Sequence, residues 1–347
     1  MSDTEHVHDV VVIGAGPTGL ACSIDLVRDG YDCVVLDKGC VVNSLFHFPP
    51  NMVYFTTPEL LEIGDLPLVC QGEKPTRLEA LKYYRKVTET YGLRVHQYER
   101  VTSVIRSRDV FEIATRLEAT GEPRGYRSRR LIVATGYYDN PNLLGIPGEE
   151  SAKVSHYYTE SHAFFGREVM VIGAGNSGAE AALDLFRGGA RVTLVHRRAE
   201  PSTGLKYWVA PDLMNRIKAG EIRASFETAV REIRTQSVVV EDLKTGDRRE
   251  VPNDFVFALT GYHADSGFLE SMGIRIDPET QKPALDPDSL ESNVPGLYMA
   301  GVVIAGVDNN KVFIENGRFH GKQILKALRA ALPPSGRPTP PPPARRS

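Results

Sequence analysis

Two glycine-rich segments have the residue types and the spacing that can bind a pyrophosphate. Each has the form G-x-G-x-x-G, at residues 14–19 and at residues 173–178, and each follows an apolar run typical of a buried strand. Small and apolar residues at helical spacing come next, so the N–H groups and the dipole of a helix start would face the ligand. One such segment alone would also fit an ordinary sharp turn. Two in the same context predict two dinucleotide-binding sites.

The residues that follow the two segments differ in charge. Asp37 lies 23 positions after Gly14, and His196 lies 23 positions after Gly173. A dinucleotide fold places the group that contacts the ribose at this point. A carboxylate suits the free ribose of FAD or NAD, whereas Arg197 and Arg198 could hold a 2′-phosphate bidentately. We therefore predict FAD at the first site and NADPH at the second; the alternative for the two arginines is a solvated surface pair.

Composition favours a soluble two-domain protein. The chain has 347 residues, 41% of them hydrophobic, and a net charge of −3, so nothing indicates nucleic acid or an anionic membrane as a partner. No apolar run could span a membrane and the polar N-terminus lacks a signal-peptide core, which predicts a cytoplasmic location. The four cysteines, at positions 22, 33, 40 and 70, include no C-x-x-C and no metal-ligand spacing, so no metal site is predicted.

The order of the elements predicts an α/β fold made of two Rossmann-like dinucleotide-binding domains. An apolar run ends in Ala-Thr-Gly at residues 134–136, and a second ends in Leu-Thr-Gly at residues 259–261, so the repeat is at the scale of a domain. The NADPH domain, residues 156–261, is expected as an insertion in a discontinuous FAD domain, residues 1–155 and 262–332. The proline-rich tail, residues 333–347, is expected to be disordered.

Local patterns also predict individual elements. Helices are expected near residues 77–91, 205–219 and 311–331, the first with a capping box between Thr76 and Glu79. Alternating apolar residues near 101–105, 110–115 and 126–134 predict a small β-meander.

The chain resembles the low-molecular-weight thioredoxin reductases up to about residue 330, and is more narrowly similar to the YpdA-type bacillithiol disulfide reductases. The phrases at residues 37–44, 57–64, 74–85 and 313–321 carry the narrower resemblance. It implies a homodimeric NADPH-dependent flavoprotein that reduces a low-molecular-weight disulfide, chiefly bacillithiol disulfide.

The chain departs from this family at three points. Many members have a cysteine inside the first glycine segment, where this chain has Thr18. The C-x-x-C of thioredoxin reductases is missing, since no cysteine follows Cys70. The usual Gly-Asp of the late flavin strand is Gly301-Val302, which removes a common carboxylate contact.

Motifs and resemblance together predict the cofactor contacts. For FAD they are Gly14, Gly16, Pro17, Thr18, Gly19, Asp37, Lys38, Asn43, Ser44, Thr135, Gly136, Gly301, Lys311 and Val312, the last two at the start of a helix whose dipole could face the flavin pyrimidine. For NADPH they are Gly173, Gly175, Asn176, Ser177, Gly178, His196, Arg197, Arg198 and Gly261.

The route of electrons beyond the flavin is less defined. A dithiol relay needs two neighbouring cysteines, one of them a thiolate, and no obvious pair exists. Cys40, Tyr137 and His47 are candidates because they lie in predicted loops beside cofactor contacts; a bystander role is the alternative for each, so the catalytic residues stay unassigned. The simpler hypothesis is direct attack of reduced flavin on a bound small-molecule disulfide.

Three other functions stay open. A flavin monooxygenase also has two glycine segments, but its usual F-x-G-x-x-x-H phrase is missing before the second one. A thioredoxin- or ferredoxin-reductase-like enzyme without the cysteine pair is a closer alternative. A non-catalytic flavin sensor is the third, and the basic pair Arg197 and Arg198 argues against it.

Overall fold

The computed structural model describes residues 6–308 and 311–335, which divide into two units. The first unit is the described part of Met1–His47, Met52–Asn140 and His263–Ser347, and the second is Phe48–Asn51 with Pro141–Tyr262. The second unit interrupts the first along the chain, as predicted.

The first unit holds seven of the strands and seven of the α-helices that the described residues form. The strands are β1 Val7–Ile13, β2 Cys33–Leu36, β3 Val95–His96, β4 Glu99–Ser107, β5 Val110–Leu117, β6 Pro123–Val133 and, after the second unit, β15 Leu297–Met299. The helices are α1 Pro17–Arg28, α2 Asn43–Phe46, α3 Pro58–Leu61, α4 Arg77–Thr90, α7 Ser266–Ser271, α8 Ile314–Gly317 and α9 His320–Ala331.

The sheet of the first unit has the order β3-β2-β1-β6-β5-β4, and β15 also pairs with β6. The strands β1 and β2 are parallel and buried, because helices cover a parallel sheet on both faces. The long strand β6 runs parallel to β1 and to β15, and antiparallel to β5. The predicted meander is therefore confirmed as β4, β5 and β6, and the end of β6 lies at the centre of the sheet.

Helix α4 begins with the predicted capping box. The Glu79 N–H donates to the Thr76 hydroxyl at 3.2 Å, and the Thr76 N–H donates to the Glu79 carboxylate at 2.8 Å. These reciprocal bonds satisfy two N–H groups that would otherwise have no partner at the helix start. The sequence signal was sufficient here because all of the partners lie within three residues.

The second unit contains two sheets. Its strands are β7 Val154–Ser155, β8 Glu168–Ile172, β9 Arg191–Val195, β10 Arg223–Ser225, β11 Thr228–Ile233, β12 Ser237–Asp242, β13 Arg248–Pro252 and β14 Phe255–Ala258, and its helices are α5 Asn176–Arg187 and α6 Ala210–Lys218. The first sheet is parallel, in the order β10-β9-β8-β14-β7, and the second is antiparallel, in the order β11-β12-β13.

The second unit begins earlier than predicted, at Pro141 rather than at residue 156. Strand β7 pairs with β14 in the parallel sheet, and Leu144, Ile146 and Val154 pack on the apolar cluster between the two sheets of this unit. The predicted boundary at residue 156 was too late because residues 141–155 contact strands about 100 positions later in the chain. No local sequence pattern indicates those contacts.

Two C-terminal predictions also need correction. The single helix expected over 311–331 is interrupted between α8 and α9, where Arg318 Nη1 donates to the carbonyl oxygens of Glu59 and Glu62 at 2.5 and 2.7 Å. At the start of the proline-rich tail, the Ser335 N–H donates to Asp9 of β1 at 3.0 Å, so the chain still contacts the first unit at residue 335. The rest of that tail, residues 336–347, lies outside the described residues.

Replacement of Thr76 by alanine should lower the free energy of unfolding by about 1 kcal/mol, a usual value for losing an N-cap hydroxyl. The reason is that the Glu79 N–H loses its acceptor. A shift of the denaturant midpoint with an unchanged m-value would measure this loss. Thr76→Ser keeps the hydroxyl and is the matched control, and equal midpoints for the two variants would contradict the role of the cap.

Candidate active site

The first glycine loop joins β1 to α1 through a close approach of two backbones. Gly14 has φ +110°, and a Cβ placed there would lie 2.4 Å from the carbonyl oxygen of Ala134, just past the end of β6. A Cβ at Gly19 would lie 2.0 Å from the carbonyl oxygen of Gly14. No side chain fits at either position. By contrast, nothing lies within 4 Å of a Cβ built at Gly16.

The second glycine loop, between β8 and α5, repeats this geometry in its own unit. Gly173 has φ +108°, and its Cβ would lie 2.4 Å from the carbonyl oxygen of Leu259, just past the end of β14. A Cβ at Gly178 would lie 2.0 Å from the carbonyl oxygen of Gly173, and the space at Gly175 is open to 4 Å. Outer glycines that permit backbone packing and a middle glycine that faces open space are what a bound pyrophosphate requires.

Each loop also leads into a helix start that can bind an anion. The first helical hydrogen bonds run from the Leu20 N–H to Gly16 and from the Ala179 N–H to Gly175, both at 2.9 Å. The N–H groups before them have no acceptor inside the helix. Both α1 and α5 have 12 residues, so their dipoles reinforce these donors. The two loops therefore fit the pyrophosphates of FAD and NADPH.

Asp37 and His196 contact their loops in equivalent ways. The Ala15 N–H donates to the Asp37 carboxylate at 2.6 Å, and the Ala174 N–H donates to His196 Nδ1 at 3.3 Å. The Gly39 N–H also donates to Asp37, at 2.7 Å. Burial raises the pKa of Asp37, and its two N–H donors oppose that shift.

His196 accepts a hydrogen bond at Nδ1, so a neutral ring carries its proton on Nε2. Burial, followed by the charges of Arg198 and Arg197, lowers the pKa of His196, which favours that neutral form. Its Nε2 is buried and has no hydrogen-bond partner among the described residues. His196 Nε2–H is therefore an available hydrogen-bond donor after the second loop, whereas the Asp37 carboxylate after the first loop offers only acceptors.

Arg197 and Arg198 differ from most of the other arginines in this unit. Both are exposed, and neither forms an ion pair within residues 6–308 and 311–335. Seven other arginines of this unit are paired with carboxylates: Arg187, Arg191, Arg216, Arg223, Arg231, Arg234 and Arg248. Two guanidinium groups without an ion pair, beside a histidine whose neutral form is favoured, are the kinds of donor that a phosphate dianion would require.

Further residues hold the second loop in ways that the motifs did not indicate. The Asn176 side chain donates to the Gly204 carbonyl at 3.0 Å and accepts from the Lys206 N–H at 2.9 Å. Because residues 202–208 are held as a loop, α6 starts at Ala210, later than predicted. Arg249, on the unpredicted strand β13, donates to the Ser225 hydroxyl at 2.6 Å, and the Ser225 carbonyl accepts from the His196 N–H.

The remaining predicted NADPH residues also lie around this loop. Ser177 is the second residue of α5 and is exposed. Gly261, with φ +94°, follows β14, and its carbonyl accepts from the Asn142 N–H at 2.9 Å. The Asn142 side-chain amide donates to the Thr260 carbonyl at 3.2 Å, and the Thr260 hydroxyl donates to the Asn142 carbonyl at 2.6 Å. This short ribbon fixes the chain beyond β14.

The chain after Asp37 returns to the first glycine loop. The Val42 N–H donates to the Ala15 carbonyl at 3.0 Å, and Val42 is buried with φ +50°, a strained backbone for a β-branched residue. This turn starts α2, so its first residues Asn43 and Ser44 lie beside the loop. Lys38 forms an ion pair with Asp139 at 2.9 Å.

Thr18 and Gly301 contact each other on the other side of the loop. Thr18 Oγ1 lies 3.1 Å from a Cβ built at Gly301 and 2.9 Å from one built at Gly317. The Gly301 N–H donates to His320 Nδ1 at 3.0 Å, and burial lowers the pKa of His320. The histidine, which no motif assigned to the cofactor, therefore holds the backbone at the point where the family's usual aspartate is replaced by Val302.

The strand-end and helix-start predictions have different outcomes. Thr135 and Gly136 follow β6, and nothing lies within 4 Å of a Cβ built at Gly136. Lys311 forms an ion pair with Asp308 at 3.1 Å, and Val312 lies before α8. The helix that follows them has only four residues and starts at Ile314. A single turn has little aligned dipole, so the predicted dipole effect on the flavin loses its basis.

The candidate redox residues do not form one cluster. Cys40 lies next to Asn43, with Sγ 3.6 Å from Oδ1, and burial raises its pKa. His47 is exposed, and its carbonyl accepts from the Tyr138 hydroxyl at 3.4 Å. Tyr137 is largely buried, and desolvation raises its pKa. A low-pKa thiolate, the requirement for a thiol nucleophile, is therefore not provided at Cys40.

The other thiols are no better suited to nucleophilic attack. Cys22 and Cys33 are buried, and burial raises the pKa of Cys22 strongly and that of Cys33 to about 12. The pKa of Cys70 is also raised, by desolvation and by the carboxylates of Glu79 and Glu59. All four cysteines are free.

Comparison with known proteins agrees with the two loops. Residues 11–301 match the family model described as pyridine nucleotide-disulphide oxidoreductase. The chain belongs to this family. It is similar to the bacilliredoxin reductase Bdr of Bacillus subtilis (strain 168), with 42% identity over 321 residues that cover 92% of this chain and 96% of the relative.

Two solved structures have the same fold with substantial identity. The bacillithiol disulfide reductase Bdr (YpdA) from Bacillus cereus is 41% identical with a TM-score of 0.91, covering 94% of this chain and 99% of its own. The protein of the same name from Staphylococcus aureus is 36% identical with a TM-score of 0.88, covering 95% and 99%. The prediction of an FAD- and NADPH-dependent disulfide oxidoreductase is thus confirmed over the alternatives.

Membrane association has a narrower outcome. None of the helices that the described residues form is both long enough and apolar enough to cross a bilayer.

Gly175→Ala should fold but bind NADPH weakly. A Cβ at Gly175 meets no protein atom within 4 Å, and φ −84° suits alanine, yet the methyl group would occupy the approach of the pyrophosphate. Loss of one charge-assisted hydrogen bond, about 1.5–3 kcal/mol, corresponds to a rise in KM for NADPH of about tenfold or more. Steady-state kinetics would measure it, with the FAD content unchanged.

The matched control is Gly178→Ala, in the same loop. Its Cβ would lie 2.0 Å from the Gly173 carbonyl oxygen, so this variant should lose thermal stability instead. If Gly175→Ala bound NADPH as tightly as the parent protein, the open space at Gly175 would not be the pyrophosphate site.

Proposed function

We propose that this chain carries electrons from NADPH through FAD to a low-molecular-weight disulfide, with bacillithiol disulfide as the substrate. The observation that carries the proposal is the matched pair Asp37 and His196. Both accept the N–H of the alanine inside a glycine loop, but one is an acid and the other a neutral base flanked by unpaired arginines. The 41% identical structure from Bacillus cereus supports the substrate, since its name refers to bacillithiol disulfide.

The first unit is proposed to hold FAD and the second NADPH. At the first loop, open space at Gly16 receives the pyrophosphate and Asp37 accepts from the ribose hydroxyls. The rest of the cofactor would lie close to the backbone at Thr135, Gly136 and Gly301. When bound, FAD supplies a carrier that takes two electrons from NADPH and returns them to a disulfide.

At the second loop, the side chains of residues 196–198 are proposed to discriminate between NADPH and NADH. The 2′-phosphate would accept from His196 Nε2–H and from the guanidinium groups of Arg197 and Arg198. A carboxylate at position 196 would repel that phosphate, as Asp37 would at the first site. Since both sites share one backbone geometry, the side chains after each loop determine which nucleotide binds where.

Electron delivery to the disulfide is proposed to be direct, without a protein dithiol. The pKa of every cysteine thiol in the chain is raised. The family position for a cysteine holds Thr18, whose hydroxyl contacts Gly301 and Gly317. A hydroxyl cannot form a mixed disulfide, so the protein's part is to bind the disulfide and exclude water near the cofactor.

A homodimer and a cytoplasmic location complete the proposal. The dimer rests on the resemblance to thioredoxin reductases. The location rests on the four free cysteines, which suit a reducing compartment.

Arg197→Ala combined with Arg198→Ala should lower kcat/KM for NADPH by about 10- to 100-fold, because at least one charge-assisted contact of about 1.5–3 kcal/mol is lost. The value for NADH should change little, since NADH has no 2′-phosphate. NADPH and NADH oxidation with a quinone acceptor would measure both values.

His196→Asp sharpens the same test. The new carboxylate can still accept the Ala174 N–H, so the loop is retained while the phosphate meets a negative charge. The preference for NADPH should fall further than in the arginine variant. Arg187→Ala, which removes an arginine paired with Asp212, is the control and should leave the preference unchanged. An unaltered preference in His196→Asp would remove the basis for assigning NADPH to this loop.

A variant without cysteines should keep disulfide reduction. Cys22 and Cys33 would be changed to alanine, which suits their buried sites, and Cys40 and Cys70 to serine. We expect NADPH loss with bacillithiol disulfide at a rate within about twofold of the parent, because no thiol takes part in the proposed transfer. Anaerobic NADPH consumption is the measurement.

Quinone reduction by the same variant is the control for FAD and NADPH binding. Retained quinone reduction with lost disulfide reduction would mean that a thiol takes part and that transfer is not direct. A substrate panel with glutathione disulfide, bacillithiol disulfide and an oxidised bacilliredoxin separates the acceptors, because the name of the Bacillus subtilis relative refers to bacilliredoxin. Activity with the protein disulfide alone would overturn the proposed substrate.

A further inference from the structure

Two histidines and an aspartate meet at the start of β1, a place that neither cofactor site uses. His6 and His8 are two residues apart in an extended segment, so their side chains leave the same face of the strand. Asp32 immediately precedes β2, which pairs with β1. His6 Nε2 and His8 Nδ1 lie 2.6 and 2.9 Å from Asp32 Oδ2.

These three atoms have the arrangement of a metal donor set. One nitrogen from each ring and one carboxylate oxygen all lie within 4.8 Å of one another. Around a tetrahedral zinc ion with bonds near 2.0–2.1 Å, ligand atoms are about 3.3 Å apart. The distances from Asp32 Oδ2 to the His6 and His8 nitrogens, 2.6 and 2.9 Å, are shorter than that by about 0.7 and about 0.4 Å, and side-chain rotations would have to supply the difference.

Arg94 orients the carboxylate from its other side. Its guanidinium donates to Asp32 Oδ1. It also donates to the Cys33 carbonyl twice, from Nη2 at 2.7 Å and from Nε at 3.1 Å. The Oδ2 atom is thereby directed to the histidines as a single ligand. A hydrogen-bonded partner of this kind usually accompanies a metal-binding carboxylate.

Burial gives the cluster a protected interior and an open side. The side chains of His8 and Asp32 are 5% and 8% exposed, whereas that of His6 is 31% exposed. An ion could enter beside His6, and water could complete its coordination. Two imidazole nitrogens favour zinc and its neighbours in the transition series over magnesium and calcium, which prefer oxygen ligands.

We propose that His6, His8 and Asp32 form a binding site for one divalent transition-metal ion of the zinc type. The site lies at the amino ends of parallel strands, whereas dinucleotides bind at the carboxyl ends of strands, so it is separate from the proposed FAD loop in the same sheet. Its consequence is to tie residue 6 to the start of β2. The expectation of no metal site, based on cysteine spacing, would then be wrong because two of the ligands are histidines in a strand.

Metal binding to the full-length holoenzyme tests the proposal. Any purification tag is removed, the protein is treated with a chelator and dialysed, and Zn²⁺ and Co²⁺ are titrated separately. We expect one ion per chain, a Co²⁺ spectrum without thiolate charge-transfer bands, and a higher Tm with Zn²⁺. A tenfold excess of Mg²⁺ should not compete, on the order expected for a site with nitrogen ligands.

Three variants locate the ion. His6→Ala, which changes a partly exposed side chain, should lose Zn²⁺ binding and the Tm response while retaining FAD and NADPH oxidation. Arg94→Gln should weaken Zn²⁺ binding by about 10- to 100-fold, as is usual when a ligand's hydrogen-bonded partner is removed. His162→Ala, at an exposed histidine of the second unit, should bind Zn²⁺ as the parent protein does.

Several results would overturn the proposal. They are a stoichiometry well below one, thiolate bands in the Co²⁺ spectrum, and equal Zn²⁺ affinity in the parent protein and in His6→Ala. Equal weakening by His6→Ala and His162→Ala would show adventitious binding to surface histidines. His6→Ala decides the question without a risk to folding, because it changes a partly exposed side chain and leaves the buried ring of His8 in place.

Discussion

In each unit a glycine backbone lies against the carbonyl oxygen that follows a neighbouring central strand. The pairs are Gly14 with Ala134, after β6, and Gly173 with Leu259, after β14. No Cβ fits at either contact, so the loop can turn into its helix only if the first residue is glycine. The position of each strand end therefore determines where the nucleotide loop lies. The apolar cores hold these strands in place, and the strand ends position the glycine loops through this contact.

The same constraint explains how two sites with one backbone geometry can have opposite roles. In the proposed assignment, the backbone of each loop offers the same pyrophosphate site and does not distinguish one dinucleotide from another. Discrimination is left to the side chain that accepts the N–H of the loop alanine, a carboxylate at Asp37 and a neutral ring at His196. Because that side chain is held by the loop itself, a change of charge there changes specificity without changing the fold. The sites could thus diverge while their strands and helices stayed alike.

Features that depend on neighbouring residues were predictable from the sequence. The capping box of Thr76 and Glu79, the glycine loops and the positions of Asp37 and His196 all follow from contacts or spacings within one β-α-β unit. The failures share another cause. The start of the second unit at Pro141 depends on strands far along the chain.

The same distinction applies within the candidate site. Arg318, which lies where the last helix is interrupted, bonds carbonyl groups more than 250 positions earlier, and no local pattern contains that information. The contact of His320 with Gly301 crosses 19 positions between a strand end and a helix. A glycine or a charge at a motif position can be assigned from the chain alone. A partner brought in by tertiary packing cannot.

Thr18 shows how tertiary packing affects the chemistry. Its hydroxyl lies against Gly301 and Gly317, where an added Cβ would come within 3.1 and 2.9 Å of it. The Gly301 N–H is itself hydrogen-bonded to His320. Packing therefore explains a small β-substituent at this position, and threonine meets that requirement as cysteine would. Packing does not supply a thiolate, and the chain's own thiols have raised pKa values. The fit of Thr18 against the two glycines thus needs no thiol chemistry, which is consistent with the proposed direct transfer.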